Sequence, residues 1–503
     1  MPPTHPNILL VTTDQQRADS LSCYGSSFTH TPHLDRLAAE GACFTRAYCA
    51  NPVCTPARAS IFTGRYVSRH GAWNVGMDVP GDEVMLSHRL AAVGYRTHYI
   101  GKTHFQAFGS GGNSIEQLDG WETRYPAFTG PYSGFQQVEL ALGHGNWGMG
   151  GHYGAWLQSQ TAAKIPEAYP CTCLADRGFG GEAYDWTLPT RLHNSVWTAD
   201  RTIDFLSHRH GEEPFFLAVG FQDPHHPHCV PADFPDRVSP DEVPLPDYDE
   251  GELDDKPAHF REARTGVLEQ SAVRGEFWVA GQGRGEDYRK VSERDARLGR
   301  AYYYTLVRLI DQQLGRILTA LDEQGLADNT LVIFTTDHGE LLGDHGLWMK
   351  GPFHYESLIR IPLLMRWPRG FAGHQQLAAL SSQVDLTPTV LAAAELDCPP
   401  EIDGHSLLPV LRGDSEAIQD AVLVECVDDP RKLRLKTIVT ARHKLTWYCG
   451  QDDGELYDLA DDPREKTNQW NNPAYAPLRA RLLGRLLAMM EPLERRAARY
   501  CYA

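Results

Sequence analysis

No apolar run in the sequence is long enough to span a bilayer, which argues against a helical membrane anchor. The first residues, Met1-Pro-Pro-Thr-His-Pro6, lack the basic start, apolar stretch and cleavage site of a secretory leader, and a cytoplasmic location is expected. Basic charge is in deficit: 47 Lys and Arg stand against 65 Asp and Glu, a formal charge of -18. A field of that sign repels nucleic acid and anionic membrane surfaces, so neither is expected as a partner, while a small cationic pocket for a small anion stays open. Regular cysteine spacing is missing too. The 11 cysteines are an odd number and need no disulfides in a reducing compartment, and Cys171-Thr-Cys173 is too short a pair to read as a zinc site.

What is present points to a large α/β enzyme. A chain of 503 residues exceeds one ordinary core, so one large unit with a smaller companion is expected. Asn7 to Thr13, Tyr95 to Gly101, Pro214 to Gly220 and Leu331 to Thr335 read as buried parallel strands. Thr31 to Gly41 and Glu83 to Gly94 read as helices that stop at glycine, and Leu306 to Leu321 carries apolar residues at helical spacing. Strands alternating with helices imply a mostly parallel sheet flanked by helices. Phe105 to Thr187 and Gln222 to Arg294 are rich in Gly, Pro, aromatic and charged residues, and read as irregular loops over a site. Beyond Gly413 the pattern changes. Ala421 to Cys426, Leu435 to Ala441 and Lys444 to Tyr448 read as short strands, and Ala476 to Met490 as a closing helix. The division expected is a catalytic domain over residues 1–413 and a C-terminal α+β subdomain over 414–503.

Parallel sheets place ligands beyond the carboxyl ends of their strands. The four strands named here run into Asp14-Gln15, Lys102-Thr-His104, Asp223-Pro-His225 and Asp337-His338-Gly339. Together these supply metal ligands, anion binders and proton carriers to one edge.

The sharpest motif is Cys54-Thr-Pro-Ala-Arg58, followed by Ala-Ser-Ile-Phe-Thr-Gly-Arg65. It resembles the Cys-x-Pro-x-Arg maturation motif of the sulfatases, a family with an alkaline-phosphatase-like fold. Asn7 to Asp14, Gly101-Lys-Thr-His104, Pro224-His-His-Pro227, Thr336-Asp-His-Gly339, Lys350-Gly351 and Glu455-Leu-Tyr-Asp-Leu459 resemble further family motifs in the family order. The resemblance implies a hydrolase of sulfate monoesters in which a separate formylglycine-generating enzyme oxidises Cys54. It implies that Asp14, Gln15, Asp337 and His338, with modified Cys54, hold one divalent cation. Oxygen ligands suit calcium, and the histidine nitrogen leaves manganese or magnesium open. Arg58, Lys102 and Lys350 would neutralise the sulfate oxygens. One hydroxyl of the hydrated aldehyde would attack sulfur, His225 with Lys350 would protonate the departing alcohol, and His104 would take the proton that lets sulfate leave.

Gln15 and His338 are similar to the pair found in the branch with phosphonate monoester hydrolases and choline sulfatases. Hydrolysis of a phosphonate monoester or phosphodiester is therefore the alternative, and a non-catalytic metal- or anion-binding relative a second. Asn74 is read either as touching the anion or as a turn residue, and His226 and His228 as plain loop histidines. His144, His152 and Trp147 are read as shaping a glycine-rich loop. A homo-oligomer is open by analogy.

Overall fold

The strand over Asn7–Thr13 (β1) is built from seven buried residues, NILLVTT, with no polar face to turn to water. Such a strand must be covered on both faces and paired on both edges. In this computed structural model, which describes residues 5–107, 114–118, 121–125, 127–147, 149–174, 182–208, 212–266 and 287–493, β1 lies inside an eight-stranded sheet. The others are β2 (Ala42–Phe44), β3 (Arg96–Gly101), β4 (Gln137–Leu142), β5 (Phe215–Gly220), β6 (Thr330–Thr336), β7 (Leu363–Arg366) and β8 (Gln375–Leu377), in the order β8-β2-β7-β6-β1-β5-β3-β4. Only β7 pairs antiparallel to its neighbours, so the mostly parallel sheet expected from the sequence is the one found.

Register decides what meets at the carboxyl edge. Thr13 pairs with Thr336, which brings Asp14 and Asp337 side by side where β1 and β6 end. Gly101 pairs with Gly220 at the ends of β3 and β5. A Cβ on Gly101 would lie 2.0 Å from the Gly220 carbonyl oxygen, and one on Gly220 would lie 2.2 Å from that of Lys102. Only glycine lets the backbones approach this closely, so the pair sets the position of Lys102.

Helices cover both faces. Helix α1 (Pro32–Glu40) begins at Thr31 with proline in its first turn and stops at Gly41. Helix α2 (Cys54–Thr63) has all ten residues buried. Helix α3 (Leu86–Ala92) is shorter than the sequence pattern suggests. Helix α4 (Asn194–Ser207) and the 31-residue helix α5 (Glu293–Glu323) pack with α1 on one face of the sheet, and α2 and α3 pack on the other. Two expectations need correction. Gln137–Leu142, inside a segment read as irregular, is the edge strand β4. Helix α5 begins at Glu293 rather than near Leu306, because Ser292 caps it by accepting from the Asp295 N–H. Short β2, β7 and β8 give too few residues to show a period.

The C-terminal sheet is a four-stranded antiparallel meander: β9 (Ala421–Asp429), β10 (Leu433–Thr440), β11 (His443–Tyr448) and β12 (Gly454–Asp458). Its last strand occupies a stretch that the sequence marks only as a family motif. Helix α6 (Ala476–Met490) starts and ends where the sequence placed it. Leu482 and Leu486 of α6 pack with Ile438 and Leu445 and with Ala50 and Tyr66, so this subdomain is welded to the segment that leads into Cys54. Residues 1–4 and 494–503 and the side chain of Trp147 lie outside the described residues.

Candidate active site

Cys54 stands at the first turn of α2 and Arg58 one turn later on the same buried face. The Cys54 Sγ lies 3.3 Å from His338 Nε2 and 3.6 Å from Asp14 Oδ1. Ligand atoms from Asp14, Cys54, Asp337 and His338 all fall within 4.8 Å of one another, and all four residues are buried. Lys350 Nζ donates toward Cys54 Sγ (2.8 Å), His225 Nε2 (3.0 Å) and His338 Nε2 (3.3 Å). Lys102 Nζ donates to Asp14 Oδ2 and to His144 Nε2. His104, buried at φ +57°, flanks the same group, with its ring 6.2 Å from that of His144. The sequence-predicted residues Asp14, Cys54, Arg58, Lys102, His225, Asp337, His338 and Lys350 thus meet at one point.

The charges account for the protonation states. Burial alone would push the Asp14 carboxyl up, but Lys102, Arg58, Lys350 and His144 outweigh it and hold it well below the usual carboxylate range. Burial pulls His338 down to about 4 although Asp337 opposes this, so its ring is neutral near pH 7. Its Nδ1 donates to the Gly339 carbonyl (2.8 Å), which leaves the Nε2 lone pair facing Cys54. His225 is held low by burial, by His144 and by Lys350, and its Nδ1 is likewise spent on the His226 carbonyl. Burial lowers Lys350, yet Cys54, Asp14 and Asp337 more than compensate and it stays a cation. Burial and Asp14 raise the Cys54 thiol to about 11 against Lys350 and Lys102, so as a plain thiol it is protonated and a poor nucleophile.

Two expected roles change in detail. Arg58 was expected on the substrate oxygens. Its donors instead go to Asp337 Oδ2 (2.9 Å), the Lys102 carbonyl (2.9 Å), the Thr13 carbonyl (3.3 Å) and Asp14 Oδ2 (3.5 Å). It therefore clamps the two strand ends and orients both carboxylates. Asn74 donates from Nδ2 to the Val427 carbonyl (3.1 Å) and accepts the Val75 N–H, tying a turn to β9. The structure gives it the turn role and does not join it to the cluster through any described hydrogen bond. His228 is buried against Tyr303 in a separate small sheet, and His152 bonds the Leu140 N–H, so both support structure.

The sequence reading missed His144. Its ring stacks on His225 with centroids 3.7 Å apart and planes 14° from parallel, and its Nε2 meets Lys102. It lies two residues beyond β4, so the strand-end rule that found Asp14 and Lys102 finds it once β4 is recognised as a strand. His226, read as a loop residue, stacks on His225 and meets Gln15 Nε2 at 3.2 Å.

The donor set fits a divalent cation. Two buried carboxylates and a neutral imidazole converge, and the Gln15 Oε1 is buried with no hydrogen-bond partner among the described residues. Gln15 is held at φ +65°, a left-handed conformation that costs a non-glycine residue and is kept at sites that use it.

A family model described as sulfatase matches residues 6–396, and one described as N-sulphoglucosamine sulphohydrolase, C-terminal, matches residues 343–492. An uncharacterised sulfatase, YidJ, of Escherichia coli is 29% identical over 97% of this chain and 88% of its own length. The multifunctional alkaline phosphatase superfamily protein PehA of Trinickia caryophylli is 30% identical over 94% of this chain and 93% of its own. Among solved structures, the phosphonate monoester hydrolase of Agrobacterium radiobacter superposes with a TM-score of 0.77 at 27% identity, over 97% of this chain and 96% of that one. With the motif order, the carboxyl-edge cluster and a family match across most of its length, the chain belongs to the sulfatase family.

Proposed function

We propose that the protein is a sulfuric ester hydrolase that works through a formylglycine made from Cys54 and one divalent cation. The observation that carries this is the convergence of Asp14, Cys54, Asp337 and His338 under two lysines and three histidines. Asp14, Gln15, Asp337, His338 and position 54 would hold the cation, which supplies Lewis-acid stabilisation of a sulfate oxygen. A thiol is a poor partner for a hard ion among carboxylate and amide oxygens, whereas an oxygen-bearing residue 54 suits the set and supplies the nucleophile.

The chain's own residues do the rest. Arg58 holds the two carboxylates in register. Lys102 and Lys350 bring positive charge to where sulfate charge grows. His225 rests neutral with its Nε2 accepting from Lys350, so the pair carries the proton that the leaving alcohol needs. His104, held low by burial and by Lys102, is a neutral base at physiological pH. Maturation by a formylglycine-generating enzyme, a cytoplasmic setting and the 1–413/414–503 division belong to this same reading.

A second reading has its own observation. Gln15 and His338 both sit at the cluster, and the fold matches a phosphonate monoester hydrolase, so hydrolysis of phosphonate monoesters or phosphodiesters is the alternative. The test has two parts. The mass of the peptide containing Cys54, from the native host, should show the aldehyde; an unmodified thiol there overturns the mechanism. Turnover of an aryl sulfate, a phenyl phosphonate monoester and a phosphodiester by that protein should be greatest for the sulfate, and a dominant phosphonate rate favours the alternative.

A further inference from the structure

Glu340 has no place in the chemistry described so far, yet it is buried beside it at 2% exposure. Its Oε1 accepts the N–H groups of Leu342 (2.9 Å) and Met349, and its Oε2 accepts from Gln15 Nε2. A side-chain amide nitrogen has two hydrogens. For Gln15 the second faces His226 Nδ1 at 3.2 Å. One hydrogen is therefore spent on the Glu340 carboxylate and the other is directed at His226 Nδ1, which accepts in the tautomer protonated on Nε2, and the side-chain atom left without a partner among the described residues is the buried Oε1. The backbone N–H of Gln15, donating to Asp337 Oδ1 (2.9 Å), keeps the residue against the metal carboxylates.

We infer that Glu340 is a positioning residue that fixes the Gln15 amide so that its oxygen, and never its NH2, is offered to the cation. The inference rests on the proposed metal site. The reason is the sign of the dipole. An amide that is free to flip must be turned oxygen-first by the ion itself, at a cost in affinity, because its NH2 end repels the ion. A carboxylate at 340 accepts only, so it selects one orientation. In Glu340→Gln the new amide keeps its oxygen for Leu342 and Met349 and turns NH2 toward Gln15 Nε2. Donor then faces donor, and the relief is a flip of Gln15.

The test is calorimetric titration of calcium chloride, then manganese chloride, into chelator-stripped full-length protein, with residue 54 in one common state. Wild type should bind one ion, and E340Q should bind it about 10- to 100-fold more weakly. In a Gln15→Ala background, E340Q should add no further loss. Equal losses in both backgrounds, or no loss in wild type, overturn the inference while leaving the metal site standing. A wild type that binds neither ion overturns the metal reading and this inference together. Melting in chelator checks folding first. If E340Q does not fold, Glu340→Asp, whose shorter side chain withdraws the carboxylate from Gln15 Nε2, carries the same cycle, weakening binding with Gln15 present and changing nothing without it.

Discussion

Two buried charge clusters in this molecule make opposite use of burial. At the carboxyl edge of the main sheet, Asp14 and Asp337 face Arg58, Lys102 and Lys350, so cations outnumber carboxylates. Beneath the C-terminal sheet, Lys444 faces the buried Glu465 and the half-buried Glu356 (3.2 Å), which Arg360 also approaches (3.6 Å). Burial raises both Asp14 and Glu465 in the first instance. The cation surplus brings Asp14 far down, whereas Glu465, with Lys444 pulling down and Glu356 pushing up, stays raised. The lesson is that burial does not decide a carboxyl's state; the local count of charges does. A cluster with spare cations is built to receive an anion. A cluster that is balanced or slightly acidic only holds two parts of the chain together.

Breaking each cluster should separate chemistry from cohesion. Cys54→Ala should show the largest effect, a loss in turnover of roughly 10⁴-fold or more with no change in melting temperature measured in chelator. Retained turnover would mean that residue 54 is not the nucleophile. Next, Lys350→Ala and His225→Ala should each lose about 10²- to 10⁴-fold in kcat, and the double variant should lose little more than the worse single. Additive losses would show that they do not share one proton. In the other cluster, Lys444→Met should destabilise the fold by roughly 3–5 kcal/mol, because it strands the buried Glu465 carboxyl, while kcat of the folded fraction holds. Urea denaturation with parallel assays distinguishes these outcomes.

The smallest effect sharpens the same contrast. His354, bonded to Thr437 Oγ1 at 2.6 Å, is pulled down to about 3 by burial and by Lys444. Its folded form is neutral, so between pH 6.5 and about 3 the unfolded chain binds a proton that the folded chain does not. Stability should therefore fall as pH falls through that window, by about 1.4 kcal/mol per pH unit for this one group. His354→Gln should flatten the slope by that amount in denaturation series at pH 6 and 5. An unchanged slope would show that His354 titrates alike in both states.

Much of the site was legible because strand ends announce themselves. Asp14, Lys102 and Asp337 follow runs whose β-branched and apolar residues fix the strand, and parallel register then brings them together. The pattern fails where packing hides it. Helix α2 has no polar face, so no amphipathic period marks it, and only the Cys54 motif drew attention to the stretch. Strand β4 lies at the sheet edge among glycine-rich neighbours, and with it went His144. Arg58 was legible as a site residue but not as a clamp, because a sequence names a guanidinium without saying which oxygens it meets. The Glu340–Gln15 contact joins residues 325 apart, beyond any local pattern.

The fully buried α2 has a bearing on how this protein can vary. Its ten residues touch protein on every side, and Gly64, which closes it at φ +70°, leaves a Cβ only 2.9 Å from Ile402. No position along it is free to absorb a substitution at the surface. A change made for packing is felt at Cys54, and one made for chemistry is felt in the core. Room for a different substrate then lies elsewhere, in the segments that rim the sheet, because this helix can change only as a whole.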